Sequence, residues 1–162
     1  MKFAHSPKAE FLVAALPLDD VEEMLMEMKL ALVLGDGLLG WQAINVAGHL
    51  ALAIGRRADA QIMGQHPLVD ATGIEHMGIC RYPVIALRSS QLDLRRIVNA
   101  AKSRGVFLVA DYPREMLDTY TDDELASAIR AKPESSMEYL GVAVLGATSD
   151  VKRLTSGLPL WK

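Results

Sequence analysis

Residues 29–55 read KLALVLGDGLLGWQAINVAGHLALAIG, and the two halves of this stretch carry different periods. Lys29–Gly35 is a short apolar run that stops at the turn residues Gly35-Asp36-Gly37, as a buried strand does. From Trp41 the apolar positions recur at helical spacing as far as Gly55, where Arg56 and Arg57 suit the negative end of a helix. A buried strand feeding a helix through a glycine turn opens an α/β unit.

The same order continues downstream. Pro83–Leu87 (PVIAL) reads as a second buried strand, with proline tolerable at its first position. Ser89 or Ser90 caps a helix to about Ser103, closed by Gly105. Val106–Ala110 is a third strand, ending at Asp111. Thr121-Asp122-Asp123-Glu124 has the capping-box form before a helix that Pro133 stops after Lys132. Tyr139–Leu145 is a fourth strand, and Thr148 or Ser149 caps a last helix closed by Gly157, leaving Leu158–Trp161 as a tail. Residues 60–81 read as strand or hairpin, with the turn at Asp70-Ala71-Thr72-Gly73. This alternation predicts a largely parallel sheet covered on both faces.

Upstream, Asp19 or Asp20 caps a short helix through Met28, with Val21, Met24, Leu25 and Met28 on one side. The chain therefore divides into an N-terminal extension, residues 1–28, and a single α/β domain, residues 29–162. Its 162 residues, 51% hydrophobic and 23% charged, fit one globular domain and exclude disordered and fibrous classes. The lone cysteine, Cys80, forms no internal disulfide and suits a reducing compartment. No targeting segment or membrane span is visible, so a cytoplasmic location and no membrane partner are expected.

The net charge of −3 is unevenly spread. Residues 1–28 hold six acids against two lysines, and residues 111–138 hold eight acids against Arg114, Arg130 and Lys132. The rest of the chain is basic. Acid-rich neighbours blunt any basic face, which disfavours nucleic acid as a partner.

Ligands of α/β sheets gather at strand carboxyl ends, and two such ends are polar here. At the first, Gly35-Asp36-Gly37-Leu38-Leu39-Gly40 matches G-x-G-x-x-G, but the acidic residue expected about 20 positions later is met only by Asp59, and no Walker lysine follows. No cofactor is implied. The helix that follows sets Gln42, Asn45 and His49 three and four residues apart, on one face. Each polar group there needs a partner or water, because burying it unpaired costs about 1–3 kcal/mol. The second polar end is Asp111-Tyr112-Pro113-Arg114, where Asp111 reads either as a catalytic carboxylate or as a turn or helix cap. His66, His76 and Cys80 show no metal spacing, so no metal site is expected. Arg95, Arg96, Lys102 and Arg104 read as a solvated helix edge, with phosphate contact as the alternative.

Trp41-Gln42-Ala43-Ile44-Asn45-Val46 within Lys29–Gly55, together with LVADYPREM (Leu108–Met116) and YLGVAVLGATSDVKRLTSGLPLW (Tyr139–Trp161), resembles a bacterial domain-of-unknown-function family, the one numbered two thousand. The resemblance covers about residues 29–162. That family is similar in fold to the type-2 peptidyl-tRNA hydrolases. The likeness implies a three-layer α/β/α sandwich around a small mixed, largely parallel sheet of four to five strands, often dimeric. On the hydrolase pattern Asp111 matches an aspartate after a later strand, and Arg114 an arginine just beyond it. Gly40 and Gln42 stand where the hydrolases carry lysines, and no lysine occurs between Lys29 and Lys102.

Residues and resemblance together predict a small polar ligand at the strand-end entrance of the first helix. Asp36, Trp41, Gln42, Asn45 and Arg114 would bind it. Two other functions are carried alongside. One is ester or amide hydrolysis, with Asp111 or His49 as general base. The other is a homodimeric module that pairs through the apolar face of residues 21–28. The acidic segment of roughly 112–138 weighs against tRNA.

Overall fold

Strand β1, Met28–Gly35, is buried from Leu30 onward, because its neighbours cover both of its faces. The computed structural model describes residues 28–58, 60–64, 66–105 and 107–162. The helix expected over residues 19–28 lies outside them, except for Met28, which begins β1. Helix α1, Gly40–Arg57, buries Ala43, Val46, Leu50 and Ile54 and ends on Arg56 and Arg57. Gln42 Oε1 accepts the Leu39 N–H at 2.9 Å, satisfying one donor that the helix start leaves free.

After a single 3₁₀ turn, Ala60–Ile62, the two-residue strands β2, Leu68–Val69, and β3, Glu75–His76, pair antiparallel. The turn between them is the one expected. Asp70 Oδ1 accepts the N–H groups of Thr72 and Ile74, and these bonds with the Thr72 hydroxyl bring its carboxyl down to about 2. Strand β4, Val84–Ser89, leads through the Ser90 cap into α2, Gln91–Arg104. Gly105 at φ 65° closes that helix, in the left-handed conformation that favours glycine. Strand β5, Leu108–Pro113, precedes the short α3, Glu115–Asp118, and α4, Asp122–Arg130. A 3₁₀ turn at Glu134–Ser136, strand β6, Tyr139–Ala147, and helix α5, Thr148–Leu154, complete the order.

Three expectations are corrected. The sheet runs β4-β1-β6-β5, and only β1 and β4 pair in parallel. Strand β6 lies antiparallel to both β1 and β5. The strand–helix alternation misled because α4 buries no residue, so it is not a crossover helix. The chain leaves β5 and re-enters β6 at the same end of the sheet. Second, β5 continues through Asp111 to Pro113, so Asp111 lies within an edge strand, neither in a turn nor at a cap. Third, α5 stops at Leu154, before Gly157, and neither Thr148 nor Ser149 caps it.

Two apolar clusters sandwich the sheet. Alternate residues Leu30, Leu32, Leu34, Leu140 and Tyr112 face α1. Ala31, Val33, Val142 and Val144 face α2 and α5. The chain end protects the β4 edge: the Arg88 N–H donates to Pro159 O and the Trp161 N–H to Ala86 O, both at 3.0 Å. Among the described residues nothing pairs with the outer edge of β5, and no helix is long and apolar enough to cross a membrane.

Residues 114–138 fold over one end of β5 and are tied down by ion pairs. Arg114 donates from Nε and Nη2 to Glu138 at 2.5 and 2.7 Å. Arg95 on α2 donates to Glu134 O at 2.6 Å and to Met137 O. The Glu115 side chain is 5% exposed and pairs with Lys132. Its Oε2 is buried with no hydrogen-bond partner among the described residues. Burial opposes the charge on Glu115, but the Lys132 ammonium prevails and holds the carboxyl below its usual value.

Helix α1 seats against β6 where Gly141 has no side chain. A Cβ there would stand 2.7 Å from Val46 Cγ1 and 3.1 Å from Leu50 Cδ1. Gly141→Ala should therefore destabilise the fold by about 1–3 kcal/mol, read as a lower urea midpoint; an unchanged midpoint would contradict this packing. Lys132→Met should cost about 1–3 kcal/mol at neutral pH, because it strands a buried carboxylate. A depressed carboxyl contributes stability above its unfolded value and loses that contribution as pH falls through its folded value. The cost of Lys132→Met should accordingly shrink below the ordinary glutamate range. A cost that stays constant with pH in urea titrations would remove the ion pair as its source.

Candidate functional site

The residues singled out from the sequence separate onto different surfaces, because successive strand residues point to opposite faces. Tyr112 faces α1 and is almost fully buried, 1% exposed. Its hydroxyl donates to Asn45 Oδ1 at 2.8 Å, and His49 meets its ring edge-on at 5.7 Å. Burial raises the Tyr112 hydroxyl above its ordinary value, so it stays a donor. The Gln42, Asn45 and His49 stripe thus borders β5, with Gln42 occupied by the helix start and Asn45 by Tyr112. His49 keeps an exposed ring.

Asp111, one residue earlier, lies on the α2 side, where Lys102 Nζ contacts its Oδ2. Asp111 and His49 are therefore not brought together. Asp36 is exposed in the turn after β1, and Trp41, 62% exposed, stands on the outer side of α1. Arg114 is engaged by Glu138, whose hydrogen bonds hold the guanidinium above its ordinary value and the carboxyl below its own.

Chemistry-bearing residues instead gather at the free edge of β5. A cavity of about 440 Å³ is floored by Val109 and Ala110 and ringed by Arg56 and Arg57 of α1, Lys102 of α2 and Asp111. On the other side of the Lys102–Asp111 pair, a second cavity of about 260 Å³ adds Lys132, Glu134, Tyr139 and the apolar Ile129 and Met137. Arg95 and Lys102 lie over the Tyr139 ring at 5.8 and 5.9 Å. Burial first, then the charges of Asp111 and Glu134, push the Tyr139 hydroxyl up to about 12. That phenol stays protonated at neutral pH, and it donates to Glu134 at 3.3 Å.

The sequence alone does not single out Arg56, Arg57, Lys102 and Tyr139 as site residues. In it both arginines complement a helix end and Lys102 belongs to a solvated edge. The signal toward them is the phosphate-contact alternative for Lys102. Lys102 is nine positions from Asp111 in sequence and meets it only because α2 returns antiparallel to β5.

His66, Glu75 and His76 line an open depression of about 690 Å³ beside the β2–β3 hairpin, and Asp70 lies 3.4 Å from the His76 ring. No group of three His, Cys, Asp or Glu among the described residues could hold a metal ion. Cys80 is a free, half-buried thiol.

No curated protein matches the chain. Among solved structures, it is similar to Atu0240, a protein of unknown function from Agrobacterium tumefaciens strain C58. The TM-score is 0.75 at 24% identity, covering 84% of this chain and 98% of that one. The likeness shows a shared fold. The model of DUF2000, a family described as proteins of unknown function, matches residues 28–162, from the first residue of β1 through α5 to the chain end. On that match, the chain belongs to the DUF2000 family.

Proposed function

We propose that this is a cytoplasmic protein that binds a small anionic ligand, bearing a carboxylate or phosphate, in the groove along the free edge of β5. Arg56, Arg57 and Lys102 are the binding cations. One observation carries this reading: three cations meet a single carboxylate around a cavity of about 440 Å³. The carboxyl ends of α1 and α2 lie close by, and each helix end contributes roughly half a negative charge. After Asp111 and both ends are counted, about one positive charge is left for a ligand. The strand-end entrance of α1 is a weaker alternative, since Gln42 and Asn45 already have partners within the protein.

We also place the fold with the type-2 peptidyl-tRNA hydrolases. The support is a four-stranded mixed sheet covered on both faces, a glycine-rich turn into the first helix, and Asp111 on a later strand. On that reading the pairing of Lys102 with Asp111 favours a second function, ester or amide hydrolysis. Asp111 would act as general base for water, and the Lys102 ammonium would stabilise the developing oxyanion.

Thermal-shift and calorimetric titration with inorganic phosphate, succinate and N-acetyl amino acids tests the first reading. At least one should raise the melting temperature, and Lys102→Ala should weaken it about ten-fold or more, the worth of one charge-assisted hydrogen bond. Gln42→Ala should bind as wild type does. No shift with any of these anions, or equal loss in both variants, would refute the groove as the site. For the second reading, hydrolysis of an aminoacyl ester should fall at least 100-fold in Asp111→Asn, the reach of general base catalysis. Equal turnover in that variant would eliminate hydrolysis at Asp111.

A further inference from the structure

The outer side of α1 has no partner among the described residues. Trp41, Ile44, Gly48, Leu52 and Gly55 follow one another at three- and four-residue spacing, opposite the buried Ala43, Val46, Leu50 and Ile54. The three large members are 62%, 76% and 74% exposed. A helix of a monomeric domain normally turns charged residues outward here, and this face carries none.

We propose that the α1 face is the contact between two copies of this chain, paired antiparallel about a two-fold axis at Gly48. That axis brings Trp41 over Gly55 of the second copy, Ile44 against Leu52, and Gly48 onto Gly48. Bulk then meets a gap at each end, and the small residue at the centre lets the two backbones approach. The axis makes the contact isologous, the same patch on both subunits, as closed dimers require.

Charge selects a second copy in this orientation. Between residues 36 and 57 the ionised side chains are Asp36 at one end and Arg56 and Arg57 at the other, all exposed. Antiparallel pairing carries each Asp36 toward the end of the second copy's helix that bears Arg56, while Arg57, half a turn away from Gly48, stays on the β5 side. Parallel pairing would set like charges side by side, which is repulsive. On this proposal the pairing surface is α1; the face of residues 21–28 expected from the sequence lies, apart from Met28, outside the described residues.

The test is the solution mass of the full chain, followed through a dilution series by light scattering and sedimentation. The wild type should show twice the chain mass and dissociate on dilution. Ile44→Glu with Leu52→Glu should give a monomer with unchanged circular dichroism and melting behaviour below the dissociation range, since both side chains are on the surface. Asp36→Arg should weaken the dimer at least ten-fold, and adding Arg56→Asp should restore it. A monomeric wild type at every concentration would overturn the proposal, with residues 1–27 then the next occupant to consider. So would a dimer that survives Ile44→Glu with Leu52→Glu, or a charge reversal that its counterpart does not rescue.

Discussion

Strand β6 has the least freedom of any element, and the other layers are arranged around it. It hydrogen-bonds to β1 on one side and β5 on the other, and every residue from Tyr139 to Gly146 is buried. One of its faces accepts α1, and Val46 and Leu50 pack where Gly141 has no side chain. Close packing at that point sets how near α1 approaches the sheet. It thereby sets which α1 residues reach the β5 border, namely Asn45, His49 and, at the far end, Arg56 and Arg57. The other face accepts α2 through Leu94, Ile97, Val98 and Ala101. That places Lys102, the next residue along the helix, beside the edge strand. Two helices seated independently on one central strand thus deliver their cations to the same groove.

The elements were legible because their signals are local. The apolar run at Leu30–Leu34, the Ser90 and Thr121 caps and the Gly105 stop each act within a few residues, and each appears where it was read. Strand direction was not local. Whether β5 and β6 run parallel depends on whether the intervening helices pack on the sheet. The α4 sequence is amphipathic, yet none of its residues is buried. What holds that segment is ion pairing, Arg114 to Glu138, Lys132 to Glu115 and Arg95 to the turn at Glu134, and such pairs leave no periodic trace. The eight acids of residues 111–138 read only as an acidic segment that weighs against nucleic acid, whereas Glu115 is among the most buried charged groups described.

The polar residues singled out from the sequence are not all brought together, for a related reason. Asp111 and Tyr112 are adjacent in the chain, and once β5 extends to Pro113 the two-residue period sends them to opposite sides of the sheet. Reading the strand as ended at Ala110 left both free to turn toward α1. Strand length, a difference of three residues, decided which helix the carboxylate meets. The pairing of Asn45 with Tyr112 was half visible: a polar residue on an apolar helix needs a partner, but nothing in the pattern said that a tyrosine from another layer supplies it.

The β5 edge differs from the β4 edge in a way that bears on ligand binding. Both begin as rows of unpaired backbone groups, which invite association with other chains. At β4 the chain end closes the row by pairing Pro159 and Trp161 with Arg88 and Ala86. At β5 no segment does so among the described residues, and the edge is flanked by Arg56, Arg57, Lys102 and Lys132. Charged side chains along an edge discourage a further strand, while their separation around two cavities leaves room for something smaller. On the reading proposed above, an open edge whose flanking cations discourage sheet extension favours a compact anion over a peptide.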